Sequence, residues 1–244
     1  MGDELIQRFR AARRDRGLAV VEGFHALKHA LRFEAELLEA VAVEPDSLER
    51  LAAELAPDLE GRLAGIAEPI DAETLARLVP LPPRTGVVAI ARRPAVDVAA
   101  VLADPDPAPA ILLERPSNMG NIGACVRVAA AGAAAALLST GEHDPWHPAA
   151  LRGAAGLHFA LPVTGIEELP ESDRPLIAVD PEGETVRPTE LPPRALLAFG
   201  TERHGLSNGL LERADARLAI PMRPGVSSLN LATSVAVTLF AQRL

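Results

Sequence analysis

Three short stretches of this 244-residue chain hold residue types that could act on a ligand. The first is NIGACVRVAAAG, which opens with Asn121-Ile122-Gly123 and carries a single charge, Arg127. A guanidinium in an otherwise apolar, Ala-rich run must find water, a carboxylate or a bound anion, and its planar fork suits carboxylate and phosphate. The second is FGTERHG, where two glycines frame Glu202 and His204 behind the apolar run ALLAF. Such a loop at a strand end is where open α/β sheets take ligands. The third is IPMRPGVSSLN, a strand-like run entering a Pro/Gly loop, then Ser228 at the start of a long apolar helix with Asn230 just inside it. Each stretch alone also has an ordinary structural reading. Asn121 and Ser228 can be helix N-caps, and the second stretch can be a tight turn.

Other candidate clusters are thinner. His25 and His29 stand four apart on a predicted helix, and His143, Asp144 and His147 flank Trp146, but neither set has the further ligands a structural zinc site needs. No metal is expected. A dinucleotide fingerprint of the G-x-G-x-x-G type is absent from both glycine-containing stretches.

The elements that must position these residues follow from periodicity. Leu5, Ile6 and Phe9 mark the apolar face of a first helix, with Arg10, Arg13 and Arg14 elsewhere on it. LAVVEG, LLEAVAV and TGVVAIARR read as strands, and FHALKHALRF, SLERLAAEL and DAETLARLV as helices, the last two with Ser47 and Asp71 as N-caps. This makes a small α/β domain over residues 1–95. The proline-rich ADPDPAPA cannot continue a helix or a central strand, so residues 96–108 are expected as a linker. From 109 to 244 short apolar strands alternate with helices, which predicts a mostly parallel sheet covered on both faces. The last helix is apolar on nearly all sides from Leu229 to Phe240, as expected of one buried in a core or against another subunit.

Composition narrows the class. Hydrophobic residues make up 48% and aromatic ones 3%, with no Tyr, so the core is aliphatic and rich in alanine. One cysteine, Cys125, precludes an internal disulfide, and no apolar run is long enough to span a membrane. A cytoplasmic protein without a signal peptide is expected. The net charge of −9 argues against nucleic acid, but the average hides an asymmetry. Five arginines and one aspartate lie between Arg8 and Arg16, whereas Phe33 to Glu73 holds twelve acidic residues against two arginines.

Taken in order, NIGACVR, GTERHG and IPMRPGVSSLNLA resemble the signature motifs of the SpoU/TrmH family, S-adenosyl-L-methionine-dependent RNA 2′-O-methyltransferases of the SPOUT superfamily. The resemblance runs from about Ala110 onward, with a weaker likeness of VVEGFHALKHAL and RTGVVAIAR to the family's substrate-binding domain. It implies a SPOUT-type trefoil-knot domain behind the small α/β domain, an RNA substrate (tRNA or rRNA), and a homodimer joined through the last helix. It also assigns residues. Gly200, Ile220 and Leu229 would hold the cofactor, while Asn121, Arg127, Glu202, Ser228 and Asn230 would form the catalytic set. Arg10, Arg13, Arg14 and Arg152 are expected to meet RNA phosphates. Two positions depart from the pattern. Arg152-Gly153-Ala154-Ala155-Gly156 lacks the serine often found there, and Val128 replaces a common threonine. Three alternative functions stay open: methylation of a base nitrogen, a silent RNA-binding paralogue, and a plain α/β protein binding a small nucleotide.

Overall fold

The computed structural model describes residues 2–59, 61–63, 65–185, 190–201 and 204–241. They form two compact units, one of residues 1–95 with 147–160 and one of residues 96–146 with 161–244.

The first unit holds a four-stranded sheet in the order β1-β4-β2-β3, from β1 (Leu18–Glu22), β2 (Leu37–Ala42), β3 (Glu68–Pro69) and β4 (Val87–Arg92). β4 runs antiparallel to both β1 and β2, and β3 is parallel to β2. Helix α1 (Gly2–Ala12) buries Leu5, Ile6 and Phe9 in a core shared with Val20, Val41, Ile90, Leu75 and Leu78. The two remaining longer helices are α2 (Phe24–Arg32) and α3 (Pro45–Leu55), and α4 (Ala72–Leu78) follows β3. Asp71 caps α4 as expected, accepting from the Thr74 N–H. Ser47 does not cap α3. Pro45 starts that helix one turn earlier, where its missing N–H costs nothing, and the Ser47 hydroxyl donates to the Glu44 carbonyl.

The second unit holds six strands in the order β10-β8-β9-β5-β6-β7, and every pair is parallel. They are β5 (Ala110–Leu113), β6 (Leu137–Ser139), β7 (Val163–Gly165), β8 (Leu176–Glu184), β9 (Leu196–Phe199) and β10 (Ala216–Leu218). Their continuous apolar composition fits a sheet covered on both faces. The chain moves outward from β5 through β6 to β7, then returns on the other side of β5 with β9 and β8. That reversal puts a switch point beside β5, and the C-terminal strand ends there form one rim.

The segment 96–108 is not an isolated linker. Val98–Ala103 forms helix α5, capped by Asp97, with Leu102 buried in the second unit's core. The expectation rested on the prolines of ADPDPAPA, which begin just after this helix ends. Arg174, 3% exposed, donates to the carbonyls of Val101, Leu102, Asp104, Ala108 and Arg194 and so fastens that turn. Burial lowers its pKa, yet five carbonyl oxygens surround its donors. Residues 147–160, expected within the second domain, belong to the first unit. There α7 (Pro148–Gly153) sends Arg152 to the buried carboxylate of Glu22, the Ala155 carbonyl meets His29 Nδ1 at 2.7 Å, and Gly156 lies against the Ala26 backbone.

Candidate active site

Helix α6 (Met119–Ala131) follows β5 and carries the first stretch. Its N-cap is Asn118, which accepts from the Asn121 N–H at 3.0 Å, so Asn121 sits inside the first turn and not at the cap. Asn121 is half-buried there. Ile122, Cys125, Val126 and Ala129 make the buried face, and Arg127 is exposed on the other side. Among the described residues Arg127 forms no ion pair. The sequence puzzle of a lone charge in an apolar helix thus resolves into an outward-pointing guanidinium without a described structural partner.

Helix α9 (Leu231–Ala241) packs on α6 closely enough that a Cβ at Gly132 would fall 2.2 Å from Leu239 Cδ2. The helix starts three residues later than Ser228. Asn230 caps it, its Oδ1 accepting from Ala232 and Thr233 N–H at 3.0 and 3.4 Å. Asn230 wins this role because its side-chain oxygen reaches the second and third amides of the helix, where orphan donors lie. Its Nδ2 then donates to Asn121 Oδ1 at 3.0 Å. Two asparagines 109 residues apart in sequence are therefore joined at the first turns of two packed helices. α9 is not buried all round. Leu231, Val235 and Leu239 face inward, and Val237 and Phe240 are 42% and 38% exposed.

A cavity of about 490 Å3 opens at the C-terminal ends of β8 and β9. Gly200, Ile220 and Leu229 all line it, together with Ser228, so the three expected cofactor residues converge, Gly200 from the loop after β9 and the other two from the opposite ends of the loop between β10 and α9. Gly200 is required by the close fold of its own loop. A Cβ there would lie 2.0 Å from the Gly205 carbonyl carbon and 2.2 Å from Leu206 N. Thr201 and Gly205 exchange backbone hydrogen bonds at 3.0 Å, and His204 N–H donates to the Thr201 hydroxyl, which closes the loop. Glu202, expected in the catalytic set, lies outside the described residues.

Three contributors escaped sequence reasoning. Glu114, immediately after β5, accepts from Ser207 N–H and O–H at 2.7 and 2.6 Å, tying the rim to the start of α8 (Asn208–Arg213). Asp180 and Glu182, late in β8, line the cavity. The available signal was an acidic residue at the C-terminal end of an apolar strand. Of the arginines expected at RNA, Arg10 and Arg14 are exposed, while Arg13 and Arg152 both bond the nearly buried Glu22.

Comparison with known proteins bears directly on this arrangement. The profile of the SpoU rRNA Methylase family matches residues 108–240, more than half of the chain. The chain belongs to this family. Within SpoU relatives, a 23S rRNA (guanosine-2′-O-)-methyltransferase of Bordetella pertussis is 29% identical over 233 residues, covering 91% of this chain and 95% of the relative. A tRNA/rRNA methyltransferase of Synechocystis sp. is 34% identical over 142 residues, and there the match spans only 52% of the relative's length. The crystal structure of an AdoMet-bound rRNA methyltransferase from Sinorhizobium meliloti shares the fold, with a TM-score of 0.80 at 21% identity over 100% of this chain and 95% of that one. The matched span begins just before β5 and ends in α9, so it takes in both asparagines and every cavity-lining residue.

Proposed function

We propose that this chain transfers a methyl group from S-adenosyl-L-methionine to a ribose 2′-hydroxyl of ribosomal or transfer RNA. The observation that carries the reading is the meeting of three distant stretches. Gly200, Ile220 and Leu229 line one cavity, and the Asn121–Asn230 bond joins the helix bearing Arg127 to the loop bearing Leu229. The cavity volume falls within the range for cofactor sites, roughly 300–1,000 Å3. Backbone groups of two loops on its wall suit a polar cofactor with many hydrogen-bonding edges.

When bound, the cofactor supplies an electrophilic methyl on a sulfonium. The residues of the chain do the rest. Gly200, Ile220 and Leu229 would hold the cofactor's adenosine through their backbones. Asn121 and Asn230, joined to each other, fix the loop ends and would orient the ribose hydroxyl toward the methyl for in-line attack. Arg127 grips the adjacent phosphate or stabilises the developing alkoxide. It keeps its own proton, since a guanidinium deprotonates only above about pH 12. Ser228 and Glu202 complete the set, Glu202 as the group that would orient Arg127 or a neighbouring donor. The loops containing Gly200 and Ile220 to Leu229 form the knot of the SPOUT type. Two copies of the chain pair through the exposed apolar face of α9 around Val237 and Phe240. The first unit, with exposed Arg10 and Arg14, receives RNA. Arg13 and Arg152 shape that surface through Glu22.

The test is transfer of labelled methyl to total RNA from a strain lacking the gene, followed by nucleoside analysis. A 2′-O-methyl nucleoside is expected. A base-methylated nucleoside supports the base-nitrogen alternative, and absence of transfer with RNA still bound supports a silent paralogue.

A further inference from the structure

The cavity that holds Gly200, Ile220 and Leu229 has an acidic wall. Among its described lining residues the only formal charges are Asp180 and Glu182, both on β8. Asp180 is half-buried, and its Oδ1 accepts from the Glu182 N–H at 2.8 Å, which fixes the carboxylate at the cavity. Neither residue forms an ion pair with a described residue. Among the described residues, no cation balances the two carboxylates on this short segment of the wall.

We infer that Asp180 and Glu182 make the cofactor site a charge discriminator, which holds cationic S-adenosyl-L-methionine in preference to its uncharged-sulfur product S-adenosylhomocysteine. The inference rests on the methyltransferase reading. The two molecules share adenosine, the amino group and the carboxylate. They differ by one methyl and one positive charge on sulfur. Contacts to the shared parts cannot separate them, and a methyl contact separates them only weakly. A negative wall can, held on the half-buried Asp180 and joined by the exposed Glu182. Coulomb attraction falls slowly with distance, so it acts wherever in the cavity the sulfur lies. In the transfer the C–S bond breaks with its electron pair left on sulfur, the C–O bond forms, and the hydroxyl proton passes to solvent water. The ligand in the cavity loses one positive charge at that moment, and the wall loses its hold on it. Product release and reloading are thereby favoured by the same two side chains.

Calorimetry with three ligands tests this: S-adenosyl-L-methionine, S-adenosylhomocysteine, and sinefungin, which carries an amine in place of the sulfonium. Asp180→Asn and Glu182→Gln remove charge while keeping a side-chain oxygen, so the turn retains its acceptor. Each is expected to weaken the two cationic ligands about 5–10-fold, as for a unit charge at roughly 7 Å behind partly wet walls. S-adenosylhomocysteine should change less than about twofold by the same reasoning. Added salt should narrow the preference in the native protein and leave the double variant flat. Equal losses for all three ligands would overturn the inference and place the carboxylates on the shared ribose or ammonium groups. Unchanged affinities would overturn it too. Failure of the native protein to bind any of the three contradicts the methyltransferase reading itself. Binding of all three with no preference for charge contradicts this inference alone.

Discussion

Replacing Gly200 by alanine tests whether the loop after β9 is built as tightly as its function demands. The added methyl would sit 2.0 Å from the Gly205 carbonyl carbon, 2.2 Å from Leu206 N and 2.3 Å from the Gly205 oxygen. These are backbone atoms, so no flexible side-chain tip can swing aside. To regain ordinary contact the 205–206 backbone must retreat by about 1.4 Å. Overpacking of this kind costs roughly 1–3 kcal/mol. For a chain of this size that lowers Tm by about 2–12 °C. The same retreat moves Gly205 and Leu206, which wall the cavity. A site tuned to about 0.5 Å does not survive such a shift, and cofactor affinity is expected to fall at least about tenfold. Thermal unfolding by circular dichroism and calorimetry with S-adenosyl-L-methionine read the two effects. Native-like affinity in a destabilised Gly200→Ala protein would refute the assignment of this loop to the cofactor. Native-like values in both assays would refute the packing argument.

Three further outcomes are expected. Arg127→Ala should leave cofactor binding and Tm close to native, because the side chain is exposed without a described ion-pair partner, and single-turnover transfer should drop by about two to three orders of magnitude; Arg127→Lys should recover little of it. Arg174→Met leaves five buried-side carbonyls without their donor and should cost at least about 3 kcal/mol, seen as a Tm loss of roughly 6 °C or more. Changing Arg10 and Arg14 to Ala, with Arg13 kept because it holds Glu22, should weaken RNA binding and reduce the slope of log K against log salt by up to about 2; an unchanged slope would make the pair a plain solvated face.

How far the sequence could be read depended on whether a signal was local. The strands of the second unit are short apolar runs, and their period and flanking turns are legible without tertiary knowledge. Asp71 announces its helix because an N-cap acts within three residues. Asn121 and Asn230 were legible only through the family pattern. What joins them is a contact across 109 positions, and no local rule reports such a contact. The ordinary alternative for Asn121, a helix cap, falls to Asn118, which offers the same chemistry three residues earlier. Arg13 and Arg152 looked like phosphate ligands, since a guanidinium reads alike in sequence whether it faces RNA or a carboxylate. Only the fold brings Glu22 to both. The helix at Val98–Ala103 was hidden by the prolines after it, although Asp97 and Leu102 carried the cap and the anchor.

The central claim is that three separated stretches make one methyl-transfer site, and a crystal structure of the protein with S-adenosylhomocysteine tests it most directly. The account predicts adenosine against the backbones of Gly200, Ile220 and Leu229, with the sulfur turned toward the Asn121–Asn230 pair and the exposed Arg127. Ligand bound elsewhere, for example in the groove of the first unit beside Arg50 and Arg84, or adenosine in the cavity with its sulfur directed away from α6, would contradict it.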